Sequence, residues 1–249
     1  MEALVSLPLA GIRVPCALQF PENAARLSAV PLDREACPCE PVSIPAPHWA
    51  YYATLGLHNC PDGEYTVLSA YCSEALMAHD RMIFHSVAIR WRDKAYLISA
   101  PSGVGKSTQA KHLQALCPGA FSVICGDRPV LQFCPALDCA PDAASSVIVH
   151  PSCWNGKEGW HGAGAAPLAG LIVLERGEEN KICALSAREA ALPVFQQCLQ
   201  SYSRSDIVQT TAKMTTKLLQ LVPIWKLTTH EVPDSTKLLL ETVFSAPES

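Results

Sequence analysis

The alternation of apolar and polar residues is clearest just before the middle of the chain. FHSVAIR at 84–90 alternates as a half-buried strand does, and AYLIS at 95–99 is a second apolar run. The polar residues Arg92-Asp93-Lys94 separate them, so the pattern predicts a β-hairpin. A run of helix formers then predicts a helix that continues to about Leu116 and ends at Cys117-Pro118-Gly119.

The second half of the chain alternates between strand and helix patterns. S-A-R-E, which starts at Ser186, is a capping box and predicts the start of a helix, with further helices to about Leu221. LAGLIVLER at 168–176 predicts a buried strand, and we expect NKICALS at 180–186 to be its antiparallel neighbour. The other predicted elements are two strands in FSVICGDRPVLQF (121–133) with a break at 126–129, strands SSVIVH (145–150) and VPIWKLTT (222–229), and a last amphipathic helix, DSTKLLLETVF (234–244).

The N-terminal quarter is rich in proline. Residues 1–62 hold nine of the 20 prolines, which favours short strands and turns over helices. After them, EYTVL at 64–68 predicts a strand and SEALMAHDR at 73–81 a short helix with Ser73 as N-cap. No Gly/Ser linker interrupts the chain. We therefore expect one domain over 1–249, in which a proline-rich β/α leader (1–80) packs on a core (81–249). The predicted class is α/β with substantial antiparallel strand content.

Composition narrows the functional classes. The 249 residues are 49% hydrophobic and carry a net charge of −4, which suits a globular protein and disfavours a nucleic-acid or anionic-membrane surface. No apolar run approaches the roughly 20 residues of a membrane span, and the N-terminal residues lack the basic start of a secretory signal. We expect a cytoplasmic protein that binds neither nucleic acid nor membrane.

The 12 cysteines do not form a metal-binding pattern. The closest pair is Cys37-Pro-Cys39, followed by Cys134 and Cys139, and no C-x-x-C pair occurs. The spacing disfavours a structural zinc site. We interpret the cysteines as small buried apolar residues in a reducing compartment.

The segment APSGVGKS at 100–107 has the pattern of a Walker A phosphate loop, with Ala100 where glycine is commoner. Glycines let backbone N–H groups surround a phosphate, and the N-terminus of the following helix adds positive potential. Lys106 would reach the β- and γ-phosphates of ATP, and the Ser107 hydroxyl would bind Mg²⁺. The predicted nucleotide-binding residues are Ser102, Gly103, Val104, Gly105, Lys106, Ser107 and Thr108.

Two polar residues are candidates to complete the chemistry. Asp127 ends the apolar strand after the loop's helix, where a metal-binding carboxylate would lie, although G-D-R-P is also good turn chemistry. His85, 21 residues before Lys106, is a candidate to assist catalysis, although a lone strand histidine is usually packed or solvated. Lys106, Asp127 and His85 are thus the predicted catalytic residues, with Ser107 and Asp127 as metal ligands.

The segments FHSVAI, YLISAPSGVGKST and VICGDRPVL together resemble HPr kinase/phosphorylase and its relatives, which share a nucleotide core with phosphoenolpyruvate carboxykinases. The resemblance covers about residues 82–133. It implies a P-loop core of that type, matches His85 to the family's histidine, and aligns the family's paired aspartates with Gly126-Asp127. Only the second carboxylate is present, and Thr108 stands where the family has glutamate after the loop serine.

The stretch 151–167, which contains two tryptophans, is predicted to be a long loop. It looks like the corresponding part of small bacterial HPr-kinase-like proteins, some of which phosphorylate peptide serines. The resemblance implies that Lys157 faces the phosphates or the substrate. The alternative is that Lys157 is a solvated residue of a mobile loop. Arg128 is a further possible phosphate or substrate contact, and Glu158 and His161 are weaker candidates. Trp154 and Trp160 either stack on a ligand or anchor the loop, and we favour anchoring.

Three functions are compatible with these residues. The first is a Mg-ATP-dependent kinase that acts on a hydroxyl, with serine in a peptide, protein or small molecule as the expected acceptor. The second is a nucleoside monophosphate kinase, because G-K-S-T-Q is close to thymidylate-kinase loops, although no arginine-rich lid follows. The third is a nucleotide-binding regulator or pseudokinase, since one carboxylate is missing. Relatives form multimers, so a homo-oligomer is possible.

Overall fold

The computed structural model describes residues 2–33, 35, 39–135, 146–162, 164–201 and 204–244. The chain starts with a hairpin of β1 (Ala3–Leu9) and β2 (Ile12–Leu18), and β1 also pairs with the short β3 (Val30–Pro31). All three strands are antiparallel to their neighbours. Two short helices, α1 (Asn23–Arg26) and α2 (Trp49–Thr54), complete this proline-rich part.

One long helix, α3 (Pro61–Met77), replaces the strand and short helix that we expected between residues 64 and 81. It starts with proline at its first position and Cys60 as N-cap, and Ser73 lies inside it, where its hydroxyl accepts a hydrogen bond from the Ile83 amide. The prediction of a strand at EYTVL was wrong. The helix is buried on most of its faces, so its sequence lacks the apolar stripe that marks a surface helix.

Apart from the short strand β4, which was not expected, the remaining elements follow the expected order. The β5–β6 hairpin is confirmed, and its turn residues Arg92 and Asp93 both have positive φ, as a two-residue hairpin turn requires. The predicted helix to Leu116 is also confirmed. The elements are β4 (Arg81–Ile83), β5 (Val87–Trp91), β6 (Lys94–Ser99), α4 (Lys106–Leu116), β7 (Phe121–Cys125), β8 (Val130–Cys134), β9 (Ser146–His150), β10 (Ala166–Arg176), β11 (Lys181–Ala184), α5 (Ala187–Phe195), α6 (Ser205–Leu221), β12 (Ile224–Thr229), α7 (Val232–Leu239) and a π-helical turn (Leu240–Phe244).

These strands form one curled nine-stranded sheet in a mixed α/β fold. The order is β4-β8-β9-β10-β6-β5-β7, and β12 pairs with β10 and carries β11 on its other side. Strands β6, β10 and β12 are parallel, whereas the other pairs are antiparallel. The first two residues of β10 pair with β9, and its later residues pair with β6 and β12.

The predicted neighbour of LAGLIVLER was wrong. Strand β11 pairs antiparallel with β12, which lies between β11 and β10. The more buried β12 takes the central place beside β10, and the largely accessible β11 lies outside it. Adjacent strands in the sequence therefore become second neighbours in the sheet, since a helical crossover inserts a parallel strand between them.

Apolar side chains connect the N-terminal strands and α3 to the nine-stranded sheet. Leu7 and Leu68 belong to the same buried cluster as Ile83, Val130 and Trp154. A second cluster joins α4 and α7 to the other face of the central strands. No helix in the described ranges is both long and apolar enough to cross a membrane.

Five of the described cysteines are buried, and no disulfide occurs among the residues that the structure covers. Burial raises the pKa of the Cys198 thiol to about 12, so this group stays protonated at neutral pH. Within the same ranges, no group of three or more His, Cys, Asp or Glu side chains is arranged to hold a metal ion. Cys37 and Cys139 lie outside the described residues.

The capping box at the start of α5 is confirmed and allows a first test. The Ser186 hydroxyl accepts from the Glu189 amide at 3.3 Å, and the Glu189 carboxylate accepts from the Ser186 amide at 2.9 Å. We expect Ser186→Ala to lower the free energy of unfolding by about 1 kcal/mol, because it removes this cap. Urea denaturation is the measurement. Ser205→Ala at the start of α6, where no side-chain cap is present, is the control, and an equal loss in both variants would contradict the assignment.

Candidate active site

The phosphate loop joins the end of β6 to the start of α4. Gly103 and Gly105 have φ of 82° and 123°, a region that other residues rarely adopt, and α4 begins at Lys106. A Cβ atom at either glycine would meet no other atom within 4 Å, so there is room for a side chain. Glycine is required here by the positive φ and not by steric crowding. Of the other loop residues, Val104 and Ser107 are half-buried, and Ser102 and Thr108 are exposed. The loop opens toward solvent at the N-terminus of a helix, an arrangement that favours anions.

Lys106 is turned inward, with only 8% of its surface exposed. Its Nζ donates to the Ala100 carbonyl at 2.9 Å and lies 2.9 Å from Nε2 of His85. Burial lowers the pKa of Lys106; the charge of Asp127 works against this effect and that of Arg128 adds to it. A nearby anion would therefore strongly favour the ammonium form.

His85 is held on both sides of its ring. With the amide oxygen of Gln197 assigned toward the ring, His85 Nδ1 donates to it at 2.9 Å, so Nε2 is the acceptor that faces Lys106. The main chains of His85 and Gln197 are also joined, by a hydrogen bond of 2.8 Å from the His85 amide. Ser99 donates to the His85 carbonyl at 2.9 Å. Residues from the end of β6 and from beyond α5 thus fix the ring.

Asp127 lies in the turn between β7 and β8, within reach of three positive or polar groups. Its Oδ1 is 3.4 Å from His85 Nε2, and its Oδ2 is 3.1 Å from Arg128 Nε. Burial alone would raise the pKa of Asp127, but the neighbouring His85 side chain and the charges of Arg128 and Lys106 outweigh burial and lower it. The carboxylate is therefore ionised at neutral pH.

Gly126 has no room for a side chain. A Cβ atom there would lie 2.3 Å from the carbonyl oxygen of Asn155 and 3.1 Å from Cβ of Trp160. The loop that follows β9 passes directly over this position. Any residue other than glycine at position 126 would therefore have to displace this loop.

The loop at 151–162 is packed against the sheet at several points. Trp154 is fully buried and its Nε1 donates to the Tyr65 carbonyl at 2.7 Å, which confirms anchoring for this residue. Trp160 is half-buried against the cluster around α4. Glu158 pairs with Lys111 of α4 at 2.7 Å, and His161 contacts the Asn155 side chain.

Lys157 is exposed, and the residue before it lies against the turn that carries Asp127. A Cβ atom on Gly156 would lie 3.1 Å from Cβ of Asp127, so the chain just before Lys157 runs beside the carboxylate. Neither Glu158 nor His161 is among the side chains that contact Lys106, His85 or Asp127. The structure thus brings Lys106, His85, Asp127 and Arg128 together and leaves Lys157 at the rim.

Sequence reasoning missed two polar residues near the loop. Gln197, which contacts the His85 ring, is 112 residues from it in the chain, and no local pattern marks it. Arg176 ends β10, and its guanidinium donates to the Gly103 carbonyl at 3.3 Å. Arg176 could have been found from its position at the carboxyl end of β10, which is parallel to β6. Ligands commonly bind at the carboxyl ends of neighbouring parallel strands.

Comparisons with known proteins add a distant likeness of fold. No protein-family model matches the chain, and no curated protein matches it. Among solved structures, the chain is similar to the HPr(Ser) kinase/phosphatase from Coxiella burnetii, with a TM-score of 0.36 and 12% sequence identity over 65% of this chain and 88% of that one.

Proposed function

We propose that the protein is a Mg-ATP-dependent phosphotransferase that transfers the terminal phosphoryl group to a hydroxyl, with serine in a peptide, protein or small molecule as the expected acceptor. One observation carries the proposal. Lys106 of the phosphate loop lies 2.9 Å from His85 Nε2, which in turn lies 3.4 Å from the Asp127 carboxylate. A phosphate-binding cation, an imidazole and a carboxylate are thus adjacent at one helix N-terminus.

The loop binds the phosphates. Its backbone amides and the N-terminus of α4 stabilise negative charge, and Lys106 supplies the mobile cation. To reach a phosphate oxygen, Lys106 would exchange its bonds to the Ala100 carbonyl and to His85 for stronger, charge-assisted ones. The pKa of Lys106 would return toward its ordinary value when the negative charge of a phosphate lies beside it. At a pH above the lowered pKa, nucleotide binding would therefore be coupled to protonation of Lys106.

The residues present fit a magnesium site. Mg²⁺ prefers oxygen ligands, keeps several waters, and is usually bound by one or two protein groups together with substrate phosphates. Ser107 and the ionised Asp127 are such groups, and both are accessible beside the loop. When bound, Mg²⁺ would neutralise charge on the phosphates.

His85 is suited to accept the proton of the acceptor hydroxyl. Gln197 holds the proton on Nδ1, so Nε2 is unprotonated, and it becomes accessible once Lys106 turns to the phosphates. The imidazolium formed by proton transfer would be stabilised by Asp127, which stays ionised. With His85 as the base, the one carboxylate of Asp127 has only to bind Mg²⁺ and to stabilise the imidazolium, so phosphoryl transfer does not require a second carboxylate.

Isothermal titration calorimetry with ATP and ADP in the presence of Mg²⁺ tests the proposal. We expect wild-type protein to bind both nucleotides and Lys106→Ala to bind at least about tenfold more weakly, since a charge-assisted phosphate contact is lost. Lys111→Ala, on the same helix but paired with Glu158, is the matched control and should bind as wild type does.

Product analysis of the same mixtures identifies the reaction. ADP that accumulates only with a serine peptide or a small hydroxyl compound supports the proposed acceptor class. Phosphorylation of a mononucleotide would instead favour a nucleoside monophosphate kinase. Absence of nucleotide binding by the wild-type protein would contradict the proposal as a whole.

A nucleotide-binding regulator without turnover is the second candidate function. The observation that favours it is the closed space at Gly126, which leaves Asp127 as the one carboxylate at the catalytic turn. It predicts Mg-nucleotide binding with no ADP formed in the presence of any acceptor class. Hydrolysis or transfer that depends on Mg²⁺ would exclude it.

A further inference from the structure

Arg128 is turned away from the phosphate loop toward helix α3. Its NH1 group donates to the Thr66 carbonyl and to the Ser69 hydroxyl, each at 2.7 Å. Ser69 is almost fully buried and itself donates to the Thr66 carbonyl at 2.7 Å. Arg128 NH1, the Thr66 carbonyl and the Ser69 hydroxyl are thus mutually hydrogen-bonded, and the latter two groups belong to α3, which precedes the phosphate loop in the chain.

The main chain of Arg128 is fixed as well. Its amide donates to the Trp154 carbonyl at 3.1 Å, and its carbonyl accepts from the Ser152 hydroxyl at 2.6 Å. Pro129 follows and disfavours a helical conformation at Arg128. The side chain is thus fixed by hydrogen bonds at its main-chain origin, in the turn between β7 and β8, and at its end on α3.

Between these two ends, the guanidinium touches the candidate catalytic carboxylate. Arg128 Nε lies 3.1 Å from Asp127 Oδ2, while the other oxygen, Oδ1, faces His85. Arg128 Nε therefore forms an ion pair with Oδ2 that lacks the alignment of a hydrogen bond, and His85 lies on the side of Oδ1. A planar guanidinium suits this task, because its several donors keep a fixed mutual geometry that an ammonium lacks.

We propose that Arg128 is a positioning residue that fixes the Asp127 carboxylate against helix α3. This inference rests on the proposed function and adds to it a structural part of the active site that lies in the N-terminal 80 residues. Thr66 and Ser69 act through Arg128 and do not meet the nucleotide.

Direct phosphate binding by Arg128 is the competing role, and the contacts argue against it. NH1 and Nε already face Thr66, Ser69 and Asp127. A phosphate that used them would have to detach the side chain from α3. The two roles predict different kinetics, since a positioning residue affects the chemical step and a phosphate contact affects nucleotide binding.

Steady-state kinetics of Arg128→Met, Arg128→Lys and Ser69→Ala separate the two roles. We expect kcat of Arg128→Met to fall about 10–100-fold with KM for ATP within about threefold, because a misplaced carboxylate slows chemistry more than binding. Arg128→Lys should recover part of the loss. Ser69→Ala should lower kcat a few fold, whereas Ser73→Ala, at another buried serine of α3, is the control and should leave kcat near the wild-type value.

Two results would overturn the proposal. A rise in KM for ATP with unchanged kcat in Arg128→Met would assign a phosphate contact. Equal kcat values in Ser69→Ala and Ser73→Ala would show that anchoring on α3 has no catalytic effect.

A second measurement does not depend on activity. Unfolding midpoints of Arg128→Met, Ser69→Ala and the double variant should be non-additive, because the two side chains share one hydrogen bond. Additive shifts would overturn the α3 anchor even if the protein proved to have no kinase activity. Conversely, non-additive shifts in a protein without turnover would leave the anchor in place and reject only the proposed reaction.

Discussion

Asp127→Asn is expected to lower kcat for phosphoryl transfer about 10³-fold while the protein stays folded. The amide has nearly the shape of the carboxylate but lacks its charge. It would bind Mg²⁺ weakly and would not stabilise an imidazolium on His85, which lies 3.4 Å from Oδ1. The measurement is the initial rate of ADP formation with saturating acceptor, together with nucleotide affinity by calorimetry.

A matched variant and a double variant sharpen this test. Asp93→Asn, in the exposed turn between β5 and β6, removes the same charge away from the loop and should leave kcat unchanged. The double variant Asp127→Asn with His85→Gln should lose little more than the slower single variant, since residues that act as one unit are not additive. An Asp127→Asn enzyme within about tenfold of wild-type kcat would contradict the role given to this carboxylate.

The largest expected loss of stability follows from Gly126→Asp, a change that would place two carboxylates side by side at the turn between β7 and β8. We expect it to lower the free energy of unfolding by about 3 kcal/mol, because the new Cβ atom would overlap the Asn155 carbonyl and press on Trp160. Denaturant unfolding measured by tryptophan fluorescence checks this.

The control for this substitution is Gly126→Ala. The overlap is made by Cβ itself, so alanine should lose most of what aspartate loses, whereas a clash caused only by the carboxylate would spare alanine. A stable Gly126→Asp protein with higher activity would show that the loop moves aside and that a second carboxylate is useful. Either finding would contradict the steric explanation.

The part of the fold that the sequence predicted well is built from local signals. The β5–β6 hairpin, the glycine-containing turn at 102–105 and α4 each follow from turn residues, glycines and periodicity within a few residues. Local signals predict the pairing of β5 with β6, but they do not determine which way the His85 side chain points. A role for His85 near Lys106 was therefore suggested mainly by a family resemblance. The structure supplies their 2.9 Å contact.

The parts that could not be predicted depend on distant contacts. The first half of helix α3 was mistaken for a strand, because burial on most faces removes the periodic signal. The contact of α3 with Arg128 spans about 60 residues of chain. Gln197 and the closed space at Gly126 are determined by segments that are remote in the sequence. Such pairings require the topology of the whole sheet before any single residue can be assigned.

Strand β10 has a consequence for how the protein loses its structure. Its first residues pair with β9 and its later residues pair with β6 and β12. The strand β10 thus joins the two halves of the curled sheet. A partial opening that frees β9 would also disturb the strand beside the phosphate loop. The sheet is therefore expected to melt as one cooperative unit, with the β10 amides among the slowest to exchange their hydrogens.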